Sequence, residues 1–313
     1  MVIIPFSLLA YRQMKIAAFM LKNWKSSPTI ALMALVGVCA AWGSTFLIVQ
    51  KAIERMPVMD FLAIRFSVAA MVMIALRPTC LRGMTLLGLW RAIGLGVALG
   101  LGYITQTYGL RYASATVSGF ITGMFVVFTP VMSWVILRQK INRNTLLAVA
   151  SATVGLALLS LHGWSVGVGE LLTLGCAIFY AVHIVGLGEW SSKHEPYGFS
   201  LLQIATVAVI ALVIASPGGI TMPPDAGIWG IVGITAILAT AIAFLVQTWA
   251  QSLVSSTSAA IVMTMEPVFA GLFGVFFGGN HLTLQIILGA VCVLIAMLMV
   301  ALKSSSKNSR LES

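Results

Sequence analysis

Ten runs of apolar residues, each about 18 to 22 residues long, follow one another along the chain. A helix of about 20 such residues crosses a hydrocarbon layer of roughly 30 Å. Each run is continuously apolar, whereas a strand of a membrane barrel would alternate over about 10 residues. The sequence therefore predicts an all-α membrane protein whose ten transmembrane spans cover residues 29–50, 58–76, 90–110, 113–137, 144–162, 169–188, 198–216, 227–249, 257–278 and 284–302.

The composition agrees, because 60% of the 313 residues are hydrophobic and only 8% are charged. A water-soluble domain carries about 25% charged residues. The connections between spans are short and leave no room for a soluble domain. We expect residues 1–28 to be a cytoplasmic lead-in, with a signal peptide disfavoured, and residues 303–313 to be a disordered cytoplasmic tail.

The positions of the 18 Lys and Arg residues indicate the orientation. With the N-terminus in the cytoplasm, 14 of them fall in inside segments and three (Lys51, Arg55 and Arg111) in outside segments, while Arg65 lies within a span. This bias places both termini in the cytoplasm. The net charge of +10 is then a matter of topology and of contact with the lipid bilayer, and we expect no nucleic-acid partner.

The chain also contains an internal repeat. Residues 103–109 (YITQTYG) are echoed 141 positions later by residues 244–250 (FLVQTWA). Three further pairs recur at offsets of 137 or 138: Cys39 with Cys176, Arg65 with Gln203, and Pro130 with Pro267. Each copy, residues 29–162 and residues 163–302, holds five predicted spans. Because five is odd, the second copy enters the membrane from the opposite side, which predicts two inverted five-helix repeats and alternating access.

Three motifs resemble those of the EamA-type drug/metabolite transporters. They are Trp42-Gly43-Ser44-Thr45-Phe46, the segment Phe61 to Phe66, and Met265 to Ala270; in that family the Arg of the second span is also often answered by Gln in the seventh, as Arg65 is by Gln203. The resemblance covers residues 29 to 302. It implies secondary transport of a small organic molecule, in a family that handles amino acids, nucleotide sugars, vitamins and drugs.

We therefore expect a transporter in a bacterial cytoplasmic membrane that exports amino acids or related metabolites. The alternatives are uptake or exchange of a vitamin-like or nucleoside/nucleotide-type solute and, outside transport, a membrane-embedded enzyme or a sensor. An enzyme is disfavoured because no catalytic constellation is visible within the spans. The four cysteines lack metal-ligand spacing, so neither a cofactor nor a metal is expected. A monomer and a homodimer both remain open.

Three ionisable residues lie well inside predicted spans, where charge is costly: Arg65, His183 and Glu266. Arg65 is a candidate for binding a carboxylate or phosphate, and a structural role competes. Glu266, followed by Pro267, is a candidate proton carrier, and the alternative is a structural pairing with Arg65 or with a backbone donor. His183 is either a pocket residue or a satisfied core histidine.

Uncharged polar and aromatic residues complete the predicted pocket. The full set of predicted substrate-binding residues is Trp42, Ser44, Thr45, Arg65, Tyr103, Gln106, Thr107, Tyr180, His183, Gln203 and Gln247. Amides beside aromatics suit a zwitterionic or planar metabolite. Gln106 and Gln247 are predicted to be equivalent parts of two gates on opposite sides of the cavity. The alternative for Gln and Thr is hydrogen bonding between helices. Trp249 is also a pocket candidate, but its place near a predicted span end favours a position at the membrane interface.

Two further patterns concern packing. Gly96 and Gly100 are a small-residue pair that favours close contact between helices. The interval from Thr116 to Pro130 is 14 residues, whereas the matched interval from Thr257 to Pro267 is 10. The difference of about one helical turn either lengthens the fourth span or lengthens the loop before it.

Overall fold

The computed structural model describes residues 27–138, 161–162, 165–263 and 265–279, together with scattered positions between 143 and 158 and between 283 and 295. The predicted lead-in before residue 27, the tail from residue 303 and most of the fifth and tenth predicted spans lie outside the described residues.

Eight helical stretches in the described part of the chain are long and apolar enough to cross a membrane. They match eight of the ten predicted spans, with ends that differ by a few residues. The first copy contributes α1 (Pro28–Ile53), α2 (Val58–Leu76), α3 (Leu86–Gly109), α4 (Ala115–Thr122) and α5 (Phe125–Leu137). Between the copies, β1 (Leu161–His162) and β2 (Ser165–Val166) form a short antiparallel ladder. The second copy contributes α6 (Val168–Trp190), α7 (Pro196–Ala215), α8 (Ala226–Ala236), a π-helical turn (Ile237–Ile242), α9 (Ala243–Gln251), α10 (Ser256–Met263) and α11 (Met265–Gly278), with 3₁₀ turns at Ser191–Lys193 and Ser216–Gly218.

Several helices begin where a polar side chain accepts a hydrogen bond from a backbone N–H of the first turn. Thr85 caps α3 by accepting from the N–H of Gly88 at 3.1 Å, and Asp225 caps α8 by accepting from that of Ile228 at 3.0 Å. The first-turn N–H groups have no partner within the helix, so these caps satisfy donors that would otherwise be left free.

The predicted fourth span is two helices rather than one. Its helical ladder breaks at Gly123 and Met124, between α4 and α5. Because α4 begins one residue before Thr116 and α10 one residue before Thr257, the loops before them are not what differs. The additional turn of the first copy therefore lies between Thr116 and Pro130, within α4, α5 and the break that joins them.

The helices of the two copies pack mainly on each other. Helix α3 lies against α6 and α7, α2 lies along α7, and α1 lies against α9 and α11. One large cluster of buried apolar residues contains side chains from both copies. The repeats of the sequence are thus not two separate structural bodies, because they share a single core.

Glycines allow the closest of these contacts. A Cβ atom on Gly96 would lie 2.6 Å from Cβ of Thr206 and 2.9 Å from the carbonyl oxygen of Gln203. No real Cβ atom tolerates such distances, so Gly96 is what lets α3 approach α7. By contrast, a Cβ on Gly94 would meet nothing within 4 Å.

The C-terminal end of α2 is fastened to the start of α7. Arg77 forms a 2.9 Å ion pair with Glu195, and the hydroxyl of Tyr197 donates a 2.8 Å hydrogen bond to the carbonyl oxygen of Met73. Each contact joins a residue of the first copy to a residue of the second.

The other end of α2 is fastened to the segment between α7 and α8. The carboxylate of Asp60 is buried and accepts a hydrogen bond from the N–H of Thr221 at 2.9 Å. Beside it, Arg55 forms an ion pair with Asp225 at 2.6 Å. Helix α2 is consequently tied to the second copy at both of its ends.

Trp249 corrects the interface prediction. Its side chain is buried in a small cluster with Ala31 and Leu35 of α1 and with Ala259 of α10. A membrane-interface position would leave the ring exposed, as it is at Trp90. Trp249 therefore packs helices together.

Candidate functional site

A cavity with about 580 Å³ of empty space, including the part continuous with solvent, lies between the two copies. Nine of the predicted substrate-binding residues and the predicted ion-coupling residue line it: Trp42, Thr45, Arg65, Tyr103, Gln106, Thr107, Tyr180, His183 and Gln247, together with Glu266. The structure brings these ten residues to one cavity.

Two predicted site residues do not line the cavity. The hydroxyl of Ser44 donates to the carbonyl of Ala41 within its own helix at 2.7 Å. Gln203 is buried, and its Oε1 lies 2.7 Å from Nε2 of His183 while its Nε2 donates to the carbonyl of Phe199. The amide of Gln203 thus positions the histidine, and only the histidine reaches the cavity.

Arg65 lies in the middle of α2 and is held by the π-helical turn. Its Nε donates a 2.9 Å hydrogen bond to the hydroxyl of Thr240, which in turn donates to the carbonyl of Thr235 at 2.9 Å. The latter bond links residues five apart, the spacing of a π-helix. The hydroxyl is therefore used both as donor and as acceptor, which fixes the guanidinium relative to the turn.

The remaining nitrogens of the guanidinium are less well satisfied. Nη2 is 3.5 Å from both the hydroxyl of Tyr103 and the carbonyl of Ala239, which is the limit for a hydrogen bond. The guanidinium also lies over the Tyr103 ring, 5.0 Å from its centre. Among the described residues, neither a carboxylate nor any other acceptor bonds Nη1, although Arg65 is 2% exposed.

Aromatic side chains surround this group. Trp42 donates from Nε1 to the carbonyl of Ala239 at 2.8 Å, so α1 and α2 both bond to the π-helical turn. The ring of Phe244 lies 5.3 Å from that of Trp42 and 6.0 Å from that of Tyr103, measured between centres. These rings give the cavity a mostly apolar wall.

Glu266 lies at the start of α11, and its side chain is buried against the cavity. The predicted alternative of a pairing with Arg65 is wrong, because within the described residues the guanidinium bonds elsewhere and no ion pair joins the two. No donor of the described part of the chain bonds the Glu266 carboxyl either. The cavity thus holds one cationic and one carboxyl side chain that do not neutralise each other.

The two glutamines of the repeat make matching contacts. Gln106 donates from Nε2 to the hydroxyl of Thr122 at 3.2 Å, and Gln247 lies with Nε2 at 3.9 Å from the sulfur of Met263. Both partners are 16 residues further along. The duplication in the sequence is therefore also present in the contacts.

Several cavity residues were not predicted. They are apolar: Phe46, Val49, Leu99, Leu110, Phe125, Ile184, Phe244 and Met263. The internal repeat could have predicted two of them. Phe244 lies 141 residues after Tyr103, and Phe125 lies 141 residues before Glu266. Applied to Tyr103 and Glu266, the offset of 141 points to an apolar lining residue in the other copy, whereas it relates Gln106 to the polar Gln247.

Comparisons with known proteins agree with this architecture. The model of the EamA-like transporter family matches the chain twice, at residues 29–161 and 167–302. An uncharacterized transporter of Archaeoglobus fulgidus is 32% identical over 278 residues, which are 88% of this chain and 85% of that protein. The threonine/homoserine exporter RhtA of Salmonella typhimurium is 30% identical over 133 residues, which are 41% of this chain and 43% of that protein. A protein of known crystal structure superposes with a TM-score of 0.67 at 16% identity, covering 92% of this chain and all of that one.

The helices and the shared cavity define a multi-pass integral membrane protein with a site for a small molecule. The chain belongs to the EamA-like transporter family, as the resemblance of its motifs implied. Its relatives are named transporters, not enzymes.

Proposed function

We propose that the protein is a secondary transporter that exports amino acids or closely related zwitterionic metabolites by alternating access. The observation that carries the proposal is the pair of opposite, mutually unpaired side chains in one cavity, Arg65 and Glu266. A buried guanidinium without an anion is costly, and so is a buried carboxylate without a donor. A zwitterion supplies the missing partner of each at once.

The aromatic and aliphatic wall supports the same class of solute. An amino acid places its two charges at one end and a mostly apolar body at the other, which suits a cavity with few polar groups among rings. Phosphorylated solutes fit less well, because Arg65 and His183 are the two basic side chains among the described residues that line the cavity.

Export as the direction is supported by the partial similarity to the threonine/homoserine exporter. The proposal also places the protein in a bacterial cytoplasmic membrane, with both termini in the cytoplasm. It includes ten spans in two inverted five-helix repeats, residues 29–162 and 163–302. The twofold match of the family model and the equivalent contacts of Gln106 and Gln247 support the inverted repeat.

The experiment is an export assay in cells loaded with dipeptides, which peptidases convert to free amino acids. Cells that express the protein are expected to release at least one amino acid faster than cells carrying the empty vector. The matched control is Arg65→Gln at equal membrane abundance, which should return release to the vector level. Release equal to the vector for all 20 amino acids contradicts the proposal, and uptake of a labelled nucleoside or vitamin by the same cells would replace it.

Glu266 is proposed as the proton-coupling residue. In proteoliposomes, accumulation against a substrate gradient should follow an imposed pH gradient, and Glu266→Gln should abolish that dependence while leaving downhill exchange. The control is Thr129→Val, because Thr129 precedes Pro130 in the first copy as Glu266 precedes Pro267 in the second. Within the described residues, the Thr129 hydroxyl donates to the Phe125 carbonyl of its own helix. Gradient-driven accumulation by Glu266→Gln would show that the carboxyl is structural.

A further inference from the structure

The amides of Gln106 and Gln247 are used differently, although their positions correspond. Nε2 of Gln106 donates to Thr122, and its Oε1 accepts from the hydroxyl of Tyr180 at 3.1 Å. Both ends of this amide are occupied by the protein. Its role is accordingly to join α3 to α4 and α6.

The orientation of the Gln247 amide follows from its neighbour. Gln251 donates from Nε2 to the carbonyl of Ile184 at 3.0 Å, so its Oε1 is the atom that faces Gln247. An oxygen there requires a donor, and Nε2 of Gln247 fills this role at 3.0 Å. Oε1 of Gln247 is therefore fixed as the atom directed away from Gln251.

This oxygen has no partner. Gln247 is 1% exposed, and its Oε1 is a buried acceptor without a hydrogen bond in the part of the chain that the structure describes. A buried acceptor left empty carries the full cost of losing its water. Proteins retain such a group where a ligand supplies the donor, and Gln247 lines the cavity.

The position of Gln247 relative to Arg65 sets the kind of ligand. The guanidinium is anchored at Thr240, seven residues before Gln247, which is about 10 Å along a helix axis. Two hydrogen bonds of about 2.9 Å with the carboxylate and amino group of one α-amino acid between them span a similar length. This axial spacing, with both side chains lining one cavity, is compatible with one amino acid bound between them.

We infer that Gln247 is the specificity-determining residue that accepts a hydrogen bond from the substrate's amino group, while Arg65 holds its carboxylate. The inference rests on the proposed function and assigns an orientation to its substrate. Gln106, whose amide is fully occupied, takes no part in recognition. The two glutamines are therefore not equivalent gates.

The test is a binding titration on the purified full-length protein in detergent, followed by thermal shift. The probes are each of the 20 standard L-amino acids and, for every one that binds, the corresponding acid without its α-amino group. The wild type should bind the amino acid at least about tenfold more tightly than the deaminated acid. Gln247→Met should reduce that ratio by weakening the amino acid alone, with Glu266 still available to pair with the amino group.

The matched control is Gln106→Met, which should lower the unfolding temperature and leave the ratio unchanged. Gln247→Glu keeps an acceptor oxygen and loses the donor to Gln251, so it should retain the preference for the amino group at a lower unfolding temperature, which separates acceptor loss from misfolding. An unchanged ratio in Gln247→Met, or an equal loss in Gln106→Met, overturns the inference while the proposed transport stands. A wild type that binds no amino acid but transports another solute overturns the substrate class and the inference together.

Discussion

Helix α3 of the first copy and the stretch from α8 through the π-helical turn to α9 in the second copy are related by the repeat, yet they differ in backbone. Helix α3 is continuous, whereas its counterpart contains the turn Ile237–Ile242. Helix α3 uses glycines to approach its neighbours. The counterpart instead presents the Thr240 hydroxyl and the Ala239 carbonyl to Arg65 and Trp42. Duplication has supplied one packing element and one binding element from a common pattern.

The largest expected effect concerns the packing element. Gly96→Leu should destabilise the protein by at least about 1–3 kcal/mol, because the new side chain overlaps Thr206 and the carbonyl of Gln203. The measurement is the unfolding temperature of the purified protein. Gly94→Leu in the same helix has open space and should leave that temperature nearly unchanged. Equal behaviour of the two variants would contradict the assigned packing role of α3.

Single-residue deletions sharpen the comparison next. Deleting Leu238 shortens the π-helical turn toward an α-helix, so the fold should survive while Arg65 loses its Thr240 acceptor. We expect transport to fall about tenfold or more, since hydrogen bonds to charged groups contribute about 1.5–3 kcal/mol. Deleting the aligned Val97 rotates half of a regular helix and should abolish folding instead. Transport by the Leu238 deletion at the wild-type rate would mean that the turn does not position the guanidinium.

Arg65 and Gln203 occupy corresponding positions of the two copies, and substitutions at them should affect different properties. Arg65→Lys keeps the charge but loses the planar fork and the Nε contact to Thr240, so the apparent affinity for substrate should fall about tenfold. Gln203→Leu removes the partner of His183 and should reduce stability with little change in which solutes bind. Competition binding with the 20 amino acids measures the affinities of both variants, and the unfolding temperature measures the stability of Gln203→Leu. A near-normal affinity in Arg65→Lys would argue against capture of a carboxylate.

The smallest effect is expected at the helix caps. The backbone N–H of Ile228, and then Arg55, hold the pKa of the Asp225 carboxyl below its usual range. A depressed pKa stabilises the folded state above the ordinary aspartate range, and this contribution is lost as the pH falls through the folded pKa. Asp225→Ala should thus lower the unfolding temperature slightly at neutral pH and less at acid pH. Thr85→Ala should lower the unfolding temperature by an amount that does not change with pH. A pH-dependent change in Thr85→Ala would contradict the assignment of the pH dependence to the Asp225 carboxyl.

The positions of the helices were predictable because hydropathy follows burial in lipid. The second predicted span, 58–76, coincides with α2. The breaks at Gly123 and at the π-helical turn were not predictable, because the composition of an apolar run does not indicate where the regular α-helical hydrogen bonding is interrupted. The turn depends on donors from Trp42 and Arg65, which are distant in the sequence.

The site was predictable to the extent that polarity marks it. Arg65, Glu266 and the two glutamines stand out in apolar runs, and all line the cavity. Gln203 was assigned to the pocket on the same ground and instead supports His183. Which of two equivalent amides retains an empty acceptor depends on Tyr180 and Gln251, contacts that exist only in the folded protein.

The bonds of Arg65 and Trp42 to residues 239 and 240 have a consequence for biosynthesis. Sequence separations of 175 and 197 residues mean that the ribosome inserts the first copy into the membrane long before these acceptors exist. During that interval the guanidinium of α2 lacks its final partners, and the two ends of that helix await the start of α7 and the segment between α7 and α8. Expressed alone, the first copy should be degraded, and co-expression with the second copy should rescue it. We expect the contacts of Arg65 and Trp42 to form only once the eighth span is complete.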